Sequence, residues 1–170
     1  ARCYIPTATD EETSKLNECA ERVFEVWNDT HEIKGTQLVF CDLSTPKRAF
    51  EDYEYGKDFD VYNDLKYKLV AKGIPEEQIA FIHEANSDAQ KQALFDSVND
   101  GKVRVLLGST EKCGAGTNVQ KRLVALHHLD TPYRPSDMQQ REGRIVRQGN
   151  TNEIVKIFTY VTERTFDSYS

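Results

Sequence analysis

The chain has little that would suit it to a membrane, to secretion or to a metal. No apolar run in its 170 residues approaches the ~20 that a membrane-spanning helix requires. The opening ARCYIPTATDEE lacks the charged-then-apolar layout of a secretory signal, so a cytoplasmic location is expected. Cysteine is sparse: Cys3, Cys19, Cys41 and Cys113 are scattered, with no C-x-x-C pair and no matching histidine spacing. That argues against a zinc site, and a reducing compartment argues against a disulfide framework. Cys19 and Cys41 sit in apolar patterns and read as buried thiols. Positive charge is also short, with 22 Lys and Arg against 28 Asp and Glu and a net charge of −6. Coating nucleic acid by bulk charge is therefore unfavourable. The acids cluster over residues 10–25 and 51–64, which leaves a local basic patch between Arg141 and Arg147.

What is present is ordinary for a globular domain with a real core: 38% hydrophobic and 29% charged residues. There is no internal repeat and no low-complexity tract. Over residues 10–29, Leu16, Cys19, Ala20, Val23, Val26 and Trp27 recur at helical spacing. Thr9 or Asp10 suits the cap, and Glu11 and Glu12 suit the positive end of the helix dipole. QLVFC (37–41) is fit for a buried strand. Residues 42–58, polar and irregular, read as a long loop of the kind that is usually functional or mobile. A helix with Val61, Leu65 and Leu69 stops near Gly73. IAFIH (79–83) reads as a strand, and Ser87 or Asp88 caps a helix through Leu94, Phe95 and Val98. VRVLLG (103–108), LVALHHLD (123–130) and EIVKIFTYV (153–161) complete the strands. Helices are expected from Ser136 through Val146 and from Glu163 onward. His127 and His128 fall mid-strand, one on each face, and carry no assigned chemistry.

Strands alternate with helices, and most strands are apolar on both faces. The pattern predicts an α/β fold with a mostly parallel sheet and helices on both faces. Ligands in such folds bind at the carboxyl ends of the strands. The loops after Cys41, His83, Gly108 and Asp130 lie there.

The most specific segment is QQREGRIVRQGN (139–150). On a helix, Arg141, Arg144 and Arg147 share one face. Side-by-side guanidinium groups repel unless an anion sits opposite, and their forks match phosphate geometry. From spacing alone, a solvated face paired with acids such as Glu142 is the simpler reading, since exposed ion pairs are common and weak. The second segment is GSTEKCGAGTNVQ (108–120), a glycine loop whose amides and hydroxyls suit phosphate. Taken alone, such a loop is often only a tight turn. A dinucleotide site built on Gly114 and Gly116 would gain an acid from Asp130 but lacks the third glycine.

Gln140, Gly143, Arg144 and Arg147 fit Q-x-x-G-R-x-x-R, and here the chain resembles motif VI of superfamily-2 helicases. The resemblance implies that Arg144 and Arg147 are arginine fingers reaching the γ-phosphate of ATP, supported by Gln140. DTPYRPSDMQQREGR resembles the Swi/Snf-type stretch before motif VI, with Asp130, Tyr133, Arg134 and Pro135 at its fixed positions. Asn150 departs from the usual glutamine of that branch. GSTEKCGAGTNVQ resembles motif V, which implies nucleic-acid backbone contacts by Ser109 and Thr110 and a nucleotide-ribose side at Gly114, Gly116 and Asn118. Lys112 is equally readable as a phosphate contact or a solvated side chain. QLVFCD resembles motif IV, and FIHEANSDAQKQALF the following block, where Ser87, Gln90 and Lys91 fall at nucleic-acid-facing positions. Lys91 stands where an arginine is commoner. The motifs run in the expected order over residues 37–161.

The resemblance implies a three-layer RecA-like domain over residues 36–170, with residues 1–35 as an N-terminal helix packing on it. It also implies the second motor lobe of an ATP-dependent DNA helicase or translocase. No G-x-x-x-x-G-K-[ST] phosphate loop and no D-E-x-[HD] box occurs, so ATP and its magnesium would be held mainly by a first lobe. The chain by itself is expected to lack ATPase activity. DNA and that first lobe of the same polypeptide are the implied partners. The wording also resembles the helicase part of phage and mobile-element proteins that join an adenine DNA methyltransferase to a helicase. That implies a methyltransferase domain as a further partner, although no N-P-P-[YF] or D-P-P-[YF] tetrapeptide is present. The alternative function is a DNA- or protein-binding module that has lost motor activity.

Overall fold

The computed structural model describes residues 10–113, 118–130 and 155–160. Helix α1 spans Asp10–Asp29, and its apolar positions at spacings of three and four place Leu16, Cys19, Ala20 and Val23 in the core. Strand β1 follows over Thr36–Phe40, buried at every residue. Helix α2, Val61–Lys72, starts where the Asp60 carboxylate accepts the Tyr62 and Asn63 amides at 3.1 and 3.4 Å. It stops at Gly73, whose φ of 121° is closed to residues with a Cβ. Strand β2 spans Ile79–Phe81, helix α3 Asp88–Asn99, strand β3 Val105–Gly108, strand β4 Leu123–His128 and strand β5 Lys156–Thr159.

The five strands form one parallel sheet in the order β2-β3-β1-β4-β5. Successive side chains leave opposite faces of a strand, and the core divides accordingly. Val39, Cys41, Val105, Leu107 and Phe81 pack with α1 and α2. Leu38, Phe40, Leu106, Ala80 and Ile82 pack with Phe95 and Val98 of α3. This is the three-layer α/β architecture expected from the alternation of elements.

Several boundaries differ from the sequence reading, each for a local reason. The expected strand 79–83 ends at Phe81, because the Glu84 carboxylate accepts the Phe81 amide at 2.6 Å and tightens Ile82–Glu84 into a 3-10 turn. The strand expected from Val103 begins at Val105. Arg104 instead turns its guanidinium to Gly35 O, Trp27 O and Thr30 Oγ1 at 3.0, 2.8 and 3.1 Å, tying the sheet to the end of α1. Residues 42–58 contain a 3-10 turn, Phe50–Asp52, and are strapped to α2. Lys47 N and Asn63 Nδ2 donate to Asp60, Asn63 Nδ2 also donates to Arg48 O, and the buried Lys66 ammonium lies 4.6 Å from the Phe50 ring. His127 and His128 do lie on opposite faces, yet both are fully buried, since helices cover the sheet on each side. Cys19, Cys41 and Cys113 are buried. Among the described residues no helix is long and apolar enough to cross a membrane. The helices expected at 136–146 and from 163 lie outside the described residues.

Candidate nucleotide and nucleic-acid interface

The three central strands end together. Backbone bonds continue one step past the ladder, from Cys41 N to Gly108 O at 2.9 Å and from Leu129 N to Phe40 O at 3.0 Å. Beyond that point two carboxylates take over. Asp130 Oδ2, after β4, accepts the amides of Asp42 and Leu43 at 2.6 and 2.8 Å. The Asp42 carboxylate, after β1, accepts Thr110 N at 2.6 Å and Thr110 Oγ1 at 2.7 Å. Hydrogen bonds to a carboxylate are stronger than neutral ones, so this edge is firmly cross-linked.

The loop after β3 is shaped by its neighbours. A Cβ on Gly108 would lie 2.6 Å from Ile82 Cγ2 and 2.7 Å from Cys113 Sγ, so only glycine allows the strand to end in that gap. Ser109 Oγ accepts Lys112 N at 3.1 Å, and Cys113 N donates to Ser109 O at 2.9 Å, which closes a turn. Ser109 is half-buried and Lys112 exposed, while Thr110 is only 6% exposed, its hydroxyl and amide directed to Asp42. Asn118 is exposed, and its carbonyl accepts Asn99 Nδ2 at 2.6 Å.

At the neighbouring strand end, Ser87 caps α3 by accepting Gln90 N at 3.2 Å, and Gln90 Oε1 in turn accepts Asn86 N at 2.7 Å. Lys91 is half-buried one turn inside that helix. His83 meets the Tyr62 ring edge-on at 5.2 Å, and its Nδ1 is buried without a hydrogen bond. Burial, then the positive charge of Lys112, pulls the His83 pKa below the usual histidine value. Cys41 is no nucleophile at neutral pH: burial, then the charge of Asp130, pushes its thiol up to about 11.

The structure thus gathers Ser109, Thr110 and Lys112 at the carboxyl end of β3, and Ser87 and Lys91 near the carboxyl end of β2. Gly114, Gly116, Gln140, Arg144 and Arg147 lie outside the described residues. In the sequence Asp42 stands out only as the last letter of QLVFCD, and nothing there reveals its tie to Thr110. The available signal is an acid two residues past the end of each of two adjacent central strands.

A family model for the helicase conserved C-terminal domain matches residues 25–149. The Defense against restriction protein B of Escherichia phage P1 is 29% identical over 70 residues, covering 41% of this chain and 3% of that protein. The crystal structure of the C-terminal part of the Fun30 ATPase domain is similar with a TM-score of 0.66 at 20% identity. That similarity covers 92% of this chain and 44% of the other, and at such identity it speaks for the fold. The chain therefore spans less than half of the solved neighbour and a small part of the phage relative.

Proposed function

Since the chain belongs to the helicase conserved C-terminal domain family, we propose that it is the second motor lobe, of the Swi/Snf-like superfamily-2 kind, of an ATP-dependent DNA helicase or translocase. The observation that carries the proposal is the family match over residues 25–149, which takes in the whole glycine loop and motif VI. A lobe with this chain's residues would contribute to a motor in two ways. Arg144 and Arg147, with Gln140 in support, would meet the charge that develops on the γ-phosphoryl group of ATP bound mainly by the companion lobe. Gly114, Gly116 and Asn118 would line the ribose side of the same cleft. The loop of Ser109, Thr110 and Lys112, with Ser87 and Lys91, would face the DNA backbone. In that arrangement Ser109 and Lys112 offer the phosphate contacts, and Thr110 holds the loop in shape through its bonds to Asp42.

No phosphate loop occurs in the 170 residues, so the magnesium and the triphosphate would be held by the companion lobe. When bound, ATP supplies the free energy that opens and closes the cleft. This chain's residues orient it and compensate its charge. The test is ATP hydrolysis by the complete polypeptide carrying Arg144→Ala or Arg147→Ala. A fall of about 10³-fold or more in rate is expected for a finger arginine. The isolated chain should release no phosphate. Unchanged hydrolysis in both variants would remove the motor reading and leave the alternative, a DNA- or protein-binding module without motor activity.

A further inference from the structure

We propose that Asp42 is a positioning residue that couples the end of β4 to the nucleic-acid-facing loop after β3, so that movement at Asp130 reaches Thr110. The inference rests on the motor reading and goes beyond it, because it names a side chain that joins the two ligand sides.

The geometry leads there in three steps. First, Asp130 follows β4, the strand that leads in sequence to Gln140, Arg144 and Arg147. Second, Asp130 grips the chain after β1 through two amides, Asp42 N at 2.6 Å and Leu43 N at 2.8 Å. Third, the Asp42 side chain passes that grip on, holding both donors of Thr110 at 2.6 and 2.7 Å. Every link is a short hydrogen bond to a carboxylate, and Thr110 and Asp130 are both buried. Asp42 itself is exposed, so the bridge runs along the surface between two buried anchors, and a shift of Asp130 must either drag Thr110 or break a charge-assisted bond. The backbone ladder does not offer this path. Among the described residues, its bonds join β3 to β1 and β1 to β4 one residue earlier, at Cys41 and Phe40. The Asp42 carboxylate is the bridge between the strand ends and the loop tip.

The carboxylate geometry also predicts how substitutions rank. Alanine removes both acceptors. Asparagine keeps one oxygen for Thr110 N and presents an N–H to Thr110 Oγ1, which is able to reverse its role and accept. Asparagine should therefore preserve much of the coupling without the charge, whereas a role through charge on the ligand would be lost in both variants.

The test is ATP hydrolysis by the complete polypeptide as wild type, Asp42→Ala and Asp42→Asn, each without DNA and titrated with single-stranded or duplex oligonucleotide. For Asp42→Ala the DNA-free rate should stay close to wild type. The DNA concentration giving half-maximal stimulation should rise about tenfold, the scale of a coupling between sites. Asp42→Asn should lie clearly nearer to wild type. Wild-type stimulation in Asp42→Ala overturns the proposal. So does an equal loss of DNA-free and DNA-stimulated rates in both variants, which would mark a purely structural role. A wild-type protein whose hydrolysis does not respond to DNA sinks the motor reading itself, independently of Asp42.

Discussion

The fully buried His127 ring is held at both nitrogens. Gln37 Nε2 donates to Val23 O at 2.9 Å, which directs Gln37 Oε1 at His127 Nε2 from 2.6 Å. The ring proton therefore sits on Nε2, and Nδ1 accepts the Tyr160 hydroxyl at 2.8 Å. Both partners suit the neutral ring, and a second proton would have to charge a fully buried ring. Burial, then the neighbouring His128, lowers the His127 pKa to about 3. In the unfolded chain the ring titrates near its ordinary value, about 6.5. Between those values the unfolded chain binds the proton and the folded one does not. The stability is thus fully present above pH ~6.5 and is lost as the pH falls toward 3, by up to about 1.4 kcal/mol per pH unit. Thermal melting of the wild type and of His127→Gln from pH 7 to pH 4 checks this. The acid slope should be shallower in the variant, and equal slopes would show that His127 contributes nothing to it.

At the scale of elements, α2 is more than a core helix. Asp60 caps it, and the same carboxylate accepts Lys47 N at 2.8 Å and Asn63 Nδ2 at 2.6 Å, so one side chain sets both the helix start and the preceding loop. Salt bridges of Asp58 with Arg48 and with Lys47 add to the strap, but these are part-exposed and contribute little. Removing an N-cap alone costs about 1 kcal/mol. Asp60 is 1% exposed and its loss would also leave buried donors unpaired, so Asp60→Ala should cost about 2–4 kcal/mol. Urea unfolding measures the cost. Limited proteolysis should open residues 42–58 in the variant first, and an unchanged digestion pattern would show that the loop is held elsewhere. The sequence announces the polarity and length of this loop, but not its anchoring. Its partners come from Asp60, Asn63 and Lys66, the last buried against Phe50 and Phe81.

At the scale of the whole molecule, α1 is a structural layer. Leu16, Cys19, Ala20 and Val23 join one cluster with residues of α2, β1, β2 and β3, and Arg104 bonds the end of α1 to the start of β3. Burial of Leu16 and Val23 at about 1.5–3 kcal/mol each, with Cys19 and Ala20 beside them, is a large share of the usual margin of domain stability. A chain lacking residues 1–29 should therefore lose its cooperative thermal transition. Retention of a cooperative melt at a similar temperature would show that the layer is dispensable.

Periodicity alone determined the order of elements, the helices at 10–29, 61–72 and 88–99, and a buried parallel sheet. Local physics governs these: a helix face repeats every 3.6 residues, a doubly covered strand is apolar throughout, and a cap is a local hydrogen bond. The glycine loop and the spaced arginines are written in consecutive letters, so the motifs can be picked out of the sequence. Tertiary structure alone decided what lies across strands. The hydrogen bonds of Asp130 to Asp42 and of Asp42 to Thr110 join residues 88 and 68 positions apart, and those of His127 reach Gln37 90 positions away. Such pairings depend on strand order and register, which are set by how three layers pack and leave no mark in any one stretch of sequence.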